Sequence, residues 1–338
     1  MQNDYILAIE SSCDDTSVAI ATPDYHILFQ ITSSQIEHEK YGGVLPELAS
    51  RLHMQNILYL IENVIKHAGI KQTDLAAIAV SINPGLIGSL LVGLSFAKSY
   101  AWSLGIPLIT VNHMLGHVFS NHLEHPNLQA PYLALVVSGG HTELIYFTTD
   151  TEFTHIGKTL DDAAGETFDK TAKLLKLGYP GGPAIDKLAQ QGNPDFVRFP
   201  RALKQKDNYN FSYSGLKTAI LQFINTQSEE WIEQNKADLA ASVQMAIVEP
   251  LVNKTIRFAK RNGIKRILIG GGVAANSLLR SLMQEKATAF GATVYFPSIS
   301  LCMDNASMIA AAAIPKYNNK QFSALTVNAF SDKGTRFL

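Results

Sequence analysis

Residues 5–35, YILAIESSCDDTSVAIATPDYHILFQITSSQ, read as three β-rich segments separated by short polar turns. A second stretch, 131–157, PYLALVVSGGHTELIYFTTDTEFTHIG, repeats the pattern with a glycine turn between its first two strands. The segments downstream of the two stretches are also alike. After the first comes a helix from about Pro46 to Ala68, where Leu48, Leu52, Ile57, Leu58, Ile61 and Ile65 recur at helical spacing. Then come a buried strand, LAAIAVSINPG (75–85), a second helix closing at Gly105, and a strand, PLITVNH, that delivers His113 to a strand-to-helix junction. After the second stretch, a mostly helical middle from Asp161 to about Asn262 leads to KRILIGGGVAANSLLRSLMQEKA (265–287), a strand, three glycines and a helix. Two meander-led halves built to one plan predict a duplicated α/β architecture with a cleft between two lobes. No linker rich in Pro, Gly or Ser separates them, so close packing is expected.

Length and composition agree with two packed lobes. A chain of 338 residues is long for one core. Its formal net charge of −1 argues against nucleic-acid binding by bulk electrostatics while leaving room for a local basic patch. With 46% hydrophobic and 17% charged residues, long disordered stretches are not expected. The two cysteines, Cys13 and Cys302, are too few for a disulfide framework and fit a reducing compartment. The N-terminus lacks a basic n-region and no run of about 18 apolar residues occurs, so a soluble, cytoplasmic protein with no membrane association is expected.

Several stretches carry chemistry. VNHMLGHVFSNHL (111–123) puts His113 and His117 four residues apart, on one face of a helix, where both rings could grip one cation. Satisfied histidines remain the alternative, since no glutamate adjoins them as in H-E-x-x-H. The turn ESSCDDTS (10–17) offers Glu10, Asp14 and Asp15 for a phosphate or cation, or simply as solvated turn residues; Glu10 and Asp14 stand as catalytic candidates. In VVSGGHTE (136–143), glycines let backbone amides approach an anion. Asp161, Asp162, Glu166 and Asp169 precede a Pro-Gly-Gly-Pro break at 180–183 and read either as a wet helix face or as contacts to ribose or metal. Asp304 and Asn305 lead into an Ala-rich helix; Asp304 is either its cap or a third metal ligand. Lys254, Arg257, Lys260, Arg261, Lys265 and Arg266 form the strongest basic run, with Arg198, Arg201, Lys204 and Lys206 a second.

Ten stretches together, ESSCDDTSVAI, YGGVLPELASRLH, NPGLIGSLLVGLSFAK, NHMLGH, LVVSGGHTEL, DDAAGETFDKTAKLL, GYPGGPAID, FSYSGLKTA, IGGGVAANSLLR and CMDNASMIA, resemble the TsaD family in order and spacing, roughly from Ile6 to Ala312. The resemblance implies a fold of the actin, sugar kinase and Hsp70 type (ASKHA). Its N-terminal lobe would span 1–115 and its C-terminal lobe 116–310, with 311–338 packing back on the first lobe. It implies transfer of a threonylcarbamoyl group from threonylcarbamoyl-AMP to N6 of the adenosine 3′ of the anticodon (position 37), in tRNAs reading codons that begin with A. By the same resemblance His113, His117 and Asp304 would hold one divalent metal, Fe2+ or Zn2+. The adenylate, AMP or ATP would meet Val136, Val137, Ser138, Gly139, Gly140, Asp169, Gly182, Asp186 and Asn276. Implied partners are tRNA, a TsaB-like relative forming a heterodimer, a TsaE-like ATPase, and a separate synthase supplying threonylcarbamoyl-AMP.

Departures from the family pattern are Leu115 and Asp15, where glutamate is common, and Met303, where threonine is common; none removes a ligand. Leu115 does remove a glutamate base beside the histidines, which weighs against the alternative of a metalloprotease. A third reading is an ATP-dependent scaffold without transferase chemistry. Because Asp304 lies far along the chain from the histidines, the metal site is expected to need both lobes.

Overall fold

The computed structural model describes residues 4–41 and 43–331, with only the backbone of Glu39. The opening stretch forms an antiparallel meander of β1 (Tyr5–Glu10), β2 (Asp15–Ala21) and β3 (Ile27–Ser34). Ile6, Leu7, Ala8 and Ile9 are all fully buried, so β1 is covered on both faces and its sequence is continuously apolar rather than alternating. Helix α1 (Pro46–Ala68) starts with proline in its first turn and ends at Gly69, whose φ of 70° suits a residue without Cβ. The chain continues as β4 (Leu75–Asn83), α2 (Ile87–Leu104), β5 (Leu108–Asn112) and the short α3 (His113–Phe119). Strands β4 and β5 run parallel to β1, giving the sheet order β3-β2-β1-β4-β5.

The second sheet repeats this plan. Strands β6 (Tyr132–Val137), β7 (Thr142–Phe147) and β8 (Phe153–Lys158) form the meander, with β9 (Arg266–Gly270) and β10 (Thr293–Tyr295) added in parallel beside β6, in the order β10-β9-β6-β7-β8. The helical middle comprises α4 (Ala164–Leu174), α5 (Gly181–Ala189), α6 (Ser214–Asn225), α7 (Glu229–Gln234) and α8 (Lys236–Arg261), interrupted by an irregular stretch over 192–213. Helices α9 (Ser277–Thr288) and α10 (Ile299–Cys302) complete this part. A separate apolar core, built around Phe168, Phe211, Tyr213 and Ile247, sits under its helices.

The chain divides into two compact units: the described residues up to Leu128 together with those from Met303 onward, and Gln129–Cys302. Boundaries after 115 and 310 were expected, so residues 116–128 and 303–310 group with the first sheet instead. The reason is α11 (Ala306–Asn318), whose residues from Ala306 to Ile314 are all buried and which packs on β1, β2 and α3. Its alanines permit that close approach. Beyond α11 the chain stays on the first unit: Phe330 N–H donates to the Ile82 carbonyl, and the Lys98 ammonium to that of Val327. No helix among the described residues is long and apolar enough to cross a membrane.

Candidate functional site

In the first unit, strands β1 and β5 flank β4 and run parallel to it in one sheet, and residues at their carboxyl ends converge, as open α/β sheets favour for ligand sites. Glu10 ends β1 and His113 follows β5. The Asn112 side chain caps α3, accepting from the N–H groups of Met114 and Leu115 at 2.9 and 3.2 Å, which fixes where the helix begins. One helical turn then brings the rings of His113 and His117 to 4.8 Å, edge to face.

Asp304 reaches them from the start of α11. The capping role that its position suggested belongs to its neighbour: Asn305 Oδ1 accepts from Met308 N–H at 2.9 Å. Asp304 is thereby left to the histidines. Its Oδ1 lies 3.4 Å from His113 Nε2 and 3.3 Å from His117 Nε2, and one ligand atom from each residue falls within 4.8 Å of the others. Gly116 makes the approach possible: a Cβ there would stand 3.0 Å from Met308 Cγ and 3.1 Å from Ile309 Cδ1 on α11.

The buried Glu10 carboxylate is held on one side by Ser12 N–H, donating to Oε1 at 2.5 Å, and on the other by His113 Nδ1, 2.9 Å from Oε2. A carboxylate only accepts, so Nδ1 carries the proton and Nε2 is the nitrogen turned toward Asp304 and His117. This is the carboxylate–histidine arrangement that orients metal ligands. Ser12 Oγ adds a contact at 3.1 Å to the same Nδ1. Burial alone would push the His113 imidazole down, but the Asp304 and Glu10 carboxylates outweigh it and raise the ring well above the usual range, so that a cation binding at Nε2 would displace a proton from that nitrogen and leave the one on Nδ1. Asp304 is held well below the usual carboxylate range by His113 and then His117, against the effect of burial.

The donors fit a metal. His117 is fully buried, its Nε2 faces the Asp304 carboxylate at 3.3 Å without closing a well-formed hydrogen bond, and a cation between them would satisfy both groups. Two imidazoles and one carboxylate suit iron or zinc, and three protein ligands leave coordination open for substrate. Asp14, the other acidic candidate of this turn, is partly exposed and engages through its carbonyl, which accepts from Gln35 N–H at 3.2 Å. Cys13 is chemically quiet, its thiol pushed up by burial and by the carboxylate of Asp14.

The remaining candidates lie in the second unit. Val136 and Val137 end β6, and Ser138, Gly139 and Gly140 turn toward β7. Their carbonyls anchor α4: Gly165 N–H donates to Ser138 and Glu166 N–H to Gly139. Open space borders the Cα atoms of Gly139, Gly140 and Gly182. Asp169 accepts from Gly181 N–H at 2.8 Å at the start of α5. Asp186 accepts from Ser277 Oγ at 2.7 Å and from Ser277 N–H at 3.1 Å, which ties α5 to the N-terminus of α9. Asn276 caps that helix through Leu279 N–H. Asp186 and Asn276 are thus brought to one helix end. Ser12 and Gly116 were not singled out by sequence; a serine in a turn and a glycine in a helix carry no mark of their partners.

A family model described as TsaD, tRNA N6-adenosine threonylcarbamoyltransferase, matches residues 26–311. The tRNA N6-adenosine threonylcarbamoyltransferase of Kosmotoga olearia is 49% identical over 96% of this chain and 97% of its own length. The protein of that name from Moorella thermoacetica is 47% identical over 97% and 96%. Among solved structures, T. kodakarensis HypF superposes with a TM-score of 0.64 at 16% identity, over 94% of this chain and 48% of that one. A likeness at that identity shows the fold alone, the duplicated α/β plan of the actin, sugar kinase and Hsp70 type.

Proposed function

The chain belongs to the TsaD family of tRNA N6-adenosine threonylcarbamoyltransferases, and from that premise we propose that His113, His117 and Asp304 hold one divalent metal ion that serves the transfer. The chain is an acyltransferase that carries a threonylcarbamoyl group to N6 of an adenosine in tRNA. In our reading the donor is threonylcarbamoyl-AMP and the acceptor is the adenosine 3′ of the anticodon in tRNAs reading codons that begin with A. The observation that carries the reading is identity near one half across almost the whole chain.

An exocyclic adenine amine is a weak nucleophile because its lone pair is delocalised into the ring, so the carbonyl must be made electrophilic and held in line. The metal, Fe2+ in preference to Zn2+, supplies a Lewis acid when bound. The chain's own residues do the rest. Glu10 fixes the His113 tautomer and aims Nε2. The turn Val136–Gly140 and the helix ends bearing Asp169, Gly182, Asp186 and Asn276 are assigned to the adenylate, a role that the open space at Gly139, Gly140 and Gly182 supports. AMP is the leaving group. The anticodon loop is single stranded, so its bases can be presented without melting a duplex.

The same reading carries partners: a TsaB-like relative, a TsaE-like ATPase and a synthase supplying the adenylate. The outer face of α1, which keeps Met54, Leu58 and Tyr59 exposed, supports a heterodimer. We place the reaction in the cytoplasm, which the two free cysteines fit. The test is purified protein with threonylcarbamoyl-AMP and unmodified tRNA, with and without partners, followed by nucleoside mass spectrometry. N6-threonylcarbamoyladenosine should appear; its absence in every combination would overturn the reading.

A further inference from the structure

Segments 198–210 and 253–266 carry ten lysines and arginines against one acid, Asp207, in a chain whose formal net charge is −1. The fold brings parts of both segments together. Lys254, Arg257 and Arg261 form one stripe along the C-terminal half of α8, and each holds the loop 203–210. Lys254 is only 4% exposed, and its ammonium donates to the carbonyls of Leu203, Asn208 and Asn210 at 2.9, 3.0 and 2.5 Å. Arg257 donates to the Asn208 carbonyl at 3.0 Å and lies over the Tyr209 ring, which packs edge-on against Phe258. Arg261 pairs with Asp207 at 2.5 Å, neutralising the loop's acid. Leu203 sits at φ 52°, a left-handed conformation that costs a non-glycine residue about 1 kcal/mol or more, held here by its carbonyl's bond to Lys254.

Three cations are thus committed to fixing a loop whose own lysines, Lys204 and Lys206, stay exposed, with exposed Lys260 flanking the stripe on α8. A buried, fully engaged lysine under an irregular loop is an expensive way to connect two helices. It makes sense where the loop must present fixed charges. A rigid array of ammonium groups, with its carboxylate cancelled and its aromatic rings turned inward, matches regularly spaced phosphates and reads no bases.

We propose that the loop 203–210, docked on the C-terminal half of α8, is a contact surface for the sugar–phosphate backbone of the substrate tRNA, with Lys204, Lys206 and Lys260 as its phosphate ligands. The proposal rests on the transferase reading above and adds to it where the RNA body is held. These lysines position the RNA and take no part in the transfer.

The test compares wild type with Lys204→Gln/Lys206→Gln/Lys260→Gln, in the full chain with its partners, at saturating threonylcarbamoyl-AMP. KM for unmodified tRNA should rise roughly tenfold with kcat unchanged, and the slope of log KM against log salt should fall by about two, at ~0.7–0.9 for each phosphate no longer neutralised. Lys40→Gln/Lys71→Gln/Lys320→Gln, which removes the same charge from the first unit at exposed positions off α1, should change neither. Lys254→Met, which frees the loop while leaving its exposed charges in place, should raise KM in the same direction. An unchanged KM and salt slope in the first variant, with wild type active, would remove the surface while leaving the transferase reading intact. An equal effect of the control set, or loss of a protein partner in place of tRNA affinity, would also overturn it. Failure of wild type to modify tRNA at all would instead strike the transferase reading.

Discussion

At Asp304 the distinction between a cap and a ligand is open to experiment. Asp304→Asn keeps the shape and leaves the Asn305 cap untouched, so it should lower metal content and tRNA modification together; Cys13→Ser, the control, should leave both nearly intact. Full metal occupancy by elemental analysis with normal modification would show that the three-residue site is wrong. Glu10→Gln should act through His113: an amide can donate as well as accept, so the tautomer is no longer fixed, and metal affinity should drop ~10- to 100-fold while the fold survives. Titration with a competing chelator reads that directly, and an unchanged affinity would assign Glu10 elsewhere. A different residue contributes to acid sensitivity. Burial, against an opposing backbone contact at Phe119, pushes the His122 imidazole down to about 4. Between there and its ordinary value the unfolded chain binds the extra proton and the native one does not. Stability present at neutral pH is therefore lost as pH falls through that window, by at most ~3 kcal/mol. His122→Asn should flatten the melting temperature between pH 7 and 5; a profile as steep as wild type would refute the assignment.

Among the elements, the contact of α3 with α11 decides whether the ligands meet. Gly116→Ala asks Met308 and Ile309 to give by a few tenths of an ångström, whereas Gly116→Val forces the helices apart. The valine variant should lose metal although it alters no ligand, and should lose ~1–3 kcal/mol of stability as an overpacked site. Retained metal at wild-type affinity would mean that α3 and α11 are not what sets the spacing. Both helices were legible in outline: His113 and His117 at helical spacing, and an Ala-rich run after Asp304. That Asn305 rather than Asp304 would cap α11 was not, because either side chain can accept from the first turn and only the backbone conformation at 305, φ −157° and ψ 157°, decides which does.

For the whole molecule, the placement of 303–331 changes what metal binding should do. All three candidate ligands belong to the first unit, so the site does not need residues from both, contrary to the sequence expectation. Metal at a hundredfold excess over its dissociation constant should stabilise that unit by ~2.7 kcal/mol. Hydrogen exchange should show added protection in β1, β5, α3 and α11 and little in β6 to β10. Protection spread equally over both sheets would count against a site confined to the first unit.

The sequence by itself determined the duplicated plan, because strand meanders, glycine turns and helical periodicity are local signals set by backbone sterics and by which side chains must be buried. It also named the residues capable of ligation, since imidazole and carboxylate chemistry belongs to the residue. What only the tertiary structure decided is which of them meet and what supports them. Glu10 and His113 are 103 residues apart, Lys254 and Leu203 51 apart, and α11 returns to a sheet begun some 300 residues earlier. Such pairings are fixed by how apolar faces pack, and packing depends on shape at every neighbour at once, which no local pattern records.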